Sequence, residues 1–143
     1  MPKSLEKENP FADMELIYSY SWEDAVKDGT KIEITELAKQ WGFKIPVAVS
    51  IGLFSEHLKA HCEDYTEEEN TKETDNNIIC VLLSLMEKIK WIKENKPSTQ
   101  DHTFLTFEIK FGNKEDLKCF CSLEGRSPEN PEPVMSIYLP EEY

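Results

Sequence analysis

Nothing in this chain of 143 residues is apolar for long enough to cross a bilayer. Its opening, Met1 to Asn9, lacks the apolar segment that an export signal needs. Together these absences predict a cytoplasmic protein with no membrane partner. Glycine is sparse and scattered, as Gly29, Gly42, Gly52, Gly112 and Gly125, so no glycine-rich loop is available to cradle a phosphate. There is no Gly-x-Ser-x-Gly elbow for a nucleophilic serine. The four cysteines, Cys62, Cys80, Cys119 and Cys121, follow no pairing pattern, and in a reducing compartment they are expected as free thiols. Positive charge is scarce as well. Sixteen Lys and Arg face 28 Asp and Glu, a net charge of −12, which repels bare nucleic acid and excludes binding through a broad basic patch.

The surplus of acid is local. Residues 63–75 hold seven acids against Lys72, and residues 124–143 hold five against Arg126, so these two stretches carry nearly all of the net charge. The length suits one domain with its own core. Residues 1–13 are polar and contain Pro2 and Pro10, which reads as a flexible arm. The expectation is a single α+β domain over 14–143, with an acidic solvated loop at about 63–75.

Within that domain the pattern changes along the chain. Met14 to Tyr20 reads as a short extended segment. Ser21, with Asp24 three residues on, predicts a capped turn that Gly29 stops. Lys31 to Ile34 alternates like a strand, Thr35 is placed to cap Glu36 to Trp41, and Gly42 ends that turn. Ile45 to Val49 reads as a strand, with Pro46 at its start or on an edge. Ser50 is placed to cap a helix through Cys62. The clearest helix is 76–94, where Ile78, Leu82, Leu85, Ile89 and Ile92 form a stripe broad enough to predict burial on most sides over its first half. After Pro97 the period becomes two. Leu105, Phe107, Ile109 and Phe111, then Leu117, Cys119, Cys121 and Leu123, predict a hairpin with one buried face, and Met135, Ile137 and Leu139 a last strand. N-terminal helices, including the central one, are thus expected on a small C-terminal antiparallel sheet over about 103–139.

Candidate chemistry is thin. His57 and His61 are four apart on the expected helix with Cys62 beside them, a spacing that can clasp a metal, but Leu58 stands where a metalloprotease has glutamate and no third ligand follows. Cys119 and Cys121 share the apolar strand face, which suits buried thiols better than ligands. No catalytic residue, cofactor or metal site is therefore expected. Two sets of residues suit contact with another protein. Tyr18, Tyr20 and Trp22 cluster around the first turn, and such aromatics either fill a core or anchor an interface. Glu67, Glu68 and Glu69 head the acidic stretch, where mobile carboxylates imitate a DNA duplex poorly but can meet a cationic partner.

The order Tyr18-Ser19-Tyr20-Ser21, Ala25, Asp28-Gly29, Ile34 to Ala38, Gly42 to Val49, then Pro131 to Val134 and Ile137 to Glu141, resembles a family of uncharacterised small proteins borne on plasmids and phages. The family has Thr-Arg where this chain has Ser21-Trp22, so no role of that arginine transfers. The resemblance offers no catalytic residues. It implies a mobile genetic element, whose small acidic proteins often counter host defences by gripping a larger protein. The resulting expectation is a non-enzymatic protein-binding module, an anti-defence inhibitor of the anti-CRISPR kind docking on a host nuclease. The alternatives are a small enzyme or nucleotide-binding protein acting on a defence signal, and an acidic DNA mimic.

Overall fold

The structure, a computed structural model, describes residues 20–95, 104–112 and 114–142. The expected arm at 1–13 and the extended segment before Tyr20 lie outside them. The described elements are helix α1 (Trp22–Asp28), strand β1 (Lys31–Glu33), helix α2 (Thr35–Gln40), strand β2 (Val47–Ser50), helix α3 (Ile51–Leu53), helix α4 (Glu67–Asn95) and strands β3 (Phe104–Ile109), β4 (Leu117–Gly125) and β5 (Pro133–Tyr138). A π-helical turn, Phe54–Leu58, extends α3, and a 3-10 turn, Pro140–Glu142, follows β5. The fold is α+β.

All five strands form one sheet in the order β1-β2-β5-β4-β3. It is larger than the C-terminal antiparallel sheet that periodicity suggested, because β1 and β2 join it. β2 runs parallel to β5, with Ala48 opposite Ser136, while the other neighbours are antiparallel. Val47, Ala48 and Val49 are all buried, since both faces of β2 are covered.

The alternation of each strand sorts its side chains between two layers. On the inner face, Phe107, Ile109, Cys119, Cys121 and Ile137 meet Ile78, Val81, Leu82 and Leu85 of α4. Completely burying a leucine such as Leu82 or Leu85 stabilises the fold by roughly 1.5–3 kcal/mol. Leu139 faces the same core, as expected. On the outer face, Trp22 of α1 closes over Ala48 and Val134 in a second, smaller cluster. Phe104, Phe120 and Tyr138 cross that face on three adjacent strands as edge-to-face pairs, with ring centroids 5.2 and 6.0 Å apart.

Helix α4 corrects the expected extent of the acidic loop. It begins at Glu67, so residues 67–75 are helical and the acidic loop ends at Thr66. Over 76–85, the first half of the expected span, only Asn76 and Leu83 are exposed, so the helix is covered on most sides there as its broad stripe predicts, and further along Trp91 reaches the surface. The helix expected from Ser50 to Cys62 is shorter than its pattern. Ser50 does cap it, accepting from the Leu53 N–H at 3.1 Å, but the backbone turns extended at Lys59. Thr35 is likewise no N-cap. Ile34 takes that position, and the Thr35 hydroxyl instead accepts the Val47 N–H at 3.2 Å, tying α2 to β2.

Candidate functional site

The aromatic signature divides on burial. Trp22 is 1% exposed, its indole N–H donates to the Met135 carbonyl at 3.1 Å, and the Arg126 guanidinium lies 5.1 Å from its ring centre. It is a core residue, which corrects its place among the docking candidates: the indole has no surface left to offer. Tyr20 is 58% exposed. Its hydroxyl donates to the Asp28 carboxylate and lies 2.7 Å from the Thr30 hydroxyl. Asp28 in turn accepts the Thr30 N–H at 3.0 Å. The Tyr20–Asp28 hydrogen bond holds the Tyr20 phenol above its ordinary pKa, and the same bond, helped by the Thr30 N–H, holds Asp28 below the usual carboxylate range. Ser21 and Asp24 complete the predicted capping box, and Gly29 takes φ 88°, where a side chain would strain the backbone. Tyr20, Ser21, Asp28 and Gly29 are thus bound to closing α1. Tyr18 lies outside the described residues.

Glu67, Glu68 and Glu69 form the first turn of α4. Thr66 and Glu69 make a reciprocal cap: the Glu69 N–H donates to the Thr66 hydroxyl at 3.1 Å, and the Thr66 N–H to the Glu69 carboxylate at 2.8 Å. Thr66 therefore holds the Glu69 carboxyl below its usual range. Glu67 and Glu68 stay exposed and ride on a fixed helical turn. Further along the helix, Asn70, Thr74 and Asn77 bind the backbone of Cys62, Ala60 and Leu58 at 2.9–3.1 Å. This row fastens the 59–66 segment to α4. The two halves of the partner-binding proposal stand on opposite sides of the sheet, α1 on the outer face and α4 on the inner.

Chemically reactive groups are spread apart or sealed. His57 sits in the π-turn and His61 beyond it, so the expected i, i+4 pair on a helix face does not form. Among the described residues no three His, Cys, Asp or Glu are grouped to hold a metal ion. Cys119 and Cys121 are buried side by side on β4, as their alternation predicts, and burial pushes both thiols up to about 12. Such thiols remain protonated and are poor nucleophiles. Ser136 has the most reactive-looking surroundings. Lys31 Nζ lies 2.6 Å from its hydroxyl, which donates to Glu124 at 2.7 Å. At 2% exposure, however, that hydroxyl offers no room for a substrate, and the trio links β1, β5 and β4.

A groove of about 520 Å³ runs between α4 and the edge strand β3. Ser84, Glu87, Lys88 and Trp91 line it from the helix; Thr106, Glu108 and Lys110 line it from the strand side, with Lys118 of β4 behind. Trp91 is 46% exposed, with Lys88 Nζ 5.0 Å from its ring centre, a cation–π stack that leaves both groups at the surface. Ser84 accepts the Lys110 N–H at 3.0 Å, bridging helix and strand at one end. Sequence reading missed this site, although one signal was present: Trp91 falls off the Ile78–Leu82–Leu85–Ile89–Ile92 stripe, so its indole could not enter the core.

No helix among the described residues is long and apolar enough to cross a membrane. No curated protein and no solved structure matches the chain. A family profile does match, over residues 7–113, which takes in the Tyr20–Gly29 signature, α4 and β3 but stops short of the Pro131–Glu141 stretch. The chain belongs to that family, a family of unknown function (DUF6573).

Proposed function

We propose that this protein is a non-enzymatic protein-binding module of a mobile genetic element, an anti-defence inhibitor of the anti-CRISPR kind that docks on a host nuclease. The observation that carries the binding role is the α4–β3 groove with half-exposed Trp91, since tryptophan in a concave, partly charged setting is the residue type most enriched at interface hot spots. The sealed Cys119, Cys121 and Ser136 point away from nucleophilic chemistry. A phage-plaquing assay on a host with an active defence nuclease tests the role. Expression of the protein is expected to restore plaques; unchanged plaquing across a panel of nuclease-based defences overturns the anti-defence part.

One observation favours a second reading, DNA mimicry. Glu67, Glu68, Glu73 and Asp75 ride on a rigid helix and not on a mobile loop, as a phosphate-like array requires. That reading expects binding to a cationic DNA-binding protein that salt abolishes and that Glu67→Gln with Glu68→Gln weakens. Binding unaffected by salt removes it.

A further inference from the structure

We propose that the α4–β3 groove takes an extended, acidic segment of the partner protein as an added strand along the free edge of β3; this rests on the protein-binding reading above. Among the described residues β3 ends the sheet and pairs with β4 alone. The Lys110 N–H points away from β4, because it donates to Ser84 of α4. In a strand, backbone groups alternate sides, so the N–H and C=O of Thr106 and Glu108 point to that same outer edge. Thr106, Glu108 and Lys110 are also the residues that line the groove at this edge. Side-chain periodicity and backbone direction therefore place an outward-facing ladder, unpaired among the described residues at Thr106 and Glu108, at the groove floor, which is the geometry that strand addition uses.

Charge selects the occupant. Three lysines, Lys88, Lys110 and Lys118, line the groove against Glu87 and Glu108, a local positive balance in a chain of net charge −12. No ion pair among the described residues engages Lys110 or Lys118. A second copy of this chain would bring another −12 towards the first, so like-charge repulsion disfavours self-pairing through this edge. A partner segment with carboxylates at alternate positions can meet the lysines while its backbone completes the ladder.

The probe is a short peptide alternating valine with glutamate, followed by amide NMR of the full chain. The expected result is saturable binding with shifts and slowed exchange concentrated at Thr106 and Glu108. A valine–lysine peptide, and a valine–glutamate peptide N-methylated on alternate amides, are expected to bind at least about tenfold more weakly. Thr106→Pro removes an outward N–H without touching the β4 ladder, and is expected to abolish binding with the melting temperature little changed. Should that variant fail to fold, the N-methylated peptide still decides the matter. Equal binding of all three peptides, or shifts that spare β3, overturns the proposal. Plaque protection persisting beside such a failure leaves the protein-binding role intact and locates it elsewhere.

Discussion

The indole N–H of Trp22 donates to the backbone carbonyl of Met135 across 113 residues of sequence, at 3.1 Å. That bond pins α1 to β5, the strand that pairs in parallel with β2, and so ties the start of the described chain to the middle of the sheet.

Trp22→Ala is expected to destabilise the protein by about 3–5 kcal/mol, because it opens a cavity against Ala48 and Val134 and removes the indole donor to the Met135 carbonyl. Trp22→Phe, which keeps most of the ring but loses the donor, is expected to cost about 1–3 kcal/mol. Urea unfolding checks both values.

Thiol chemistry should follow burial. Cys62 is exposed, whereas Cys119 and Cys121 are sealed between β4 and α4 with pKa values near 12. At mildly alkaline pH an alkylating reagent should modify Cys62 rapidly and reach Cys119 and Cys121 only after denaturant is added. Peptide mass mapping reads the order of labelling.

Two contacts predict opposite responses to pH. Glu69 has its folded-state pKa depressed by Thr66, so its stabilisation is full above the unfolded-state value and disappears as pH falls through the folded one. Thr66→Ala should remove this cap at a cost of about 1 kcal/mol, and Glu69→Gln should flatten the acid limb of stability. Tyr20 has its phenol raised by Asp28, so that contact persists at low alkalinity and is lost as pH rises through the folded-state value. Exchange of the Thr30 amide, which Asp28 also holds, should quicken at that point, and Tyr20→Phe should remove the alkaline step.

Much of this frame is legible in the chain. The hairpin β3–β4 is readable because Leu105, Phe107, Ile109, Cys119 and Cys121 alternate over a face that is buried on one side only. The Ser21–Asp24 cap and the Gly29 stop are local, and local chemistry decides them. The start of α4 was missed because its apolar stripe ends at Ile78: above it the same face continues with Asn70, Thr74 and Asn77, which bind backbone in place of core. Thr66 and Glu69 nevertheless carry a capping-box spacing that marks the true start. The parallel pairing of β2 with β5 depends on contacts about ninety residues apart, which no local pattern encodes. The candidate groove shares that limit. Trp91 could be seen to leave its stripe, but Lys110 and Lys118 become its neighbours only once the sheet edge meets α4.

The most direct test of the central claim is plaquing of a phage on a nuclease-defended host that expresses either the native chain or Trp91→Ala. Because Trp91 is a half-exposed groove residue, the variant should melt close to the native chain yet protect the phage at least about tenfold less well. A folded Trp91→Ala variant that protects as fully as the native chain would contradict the account.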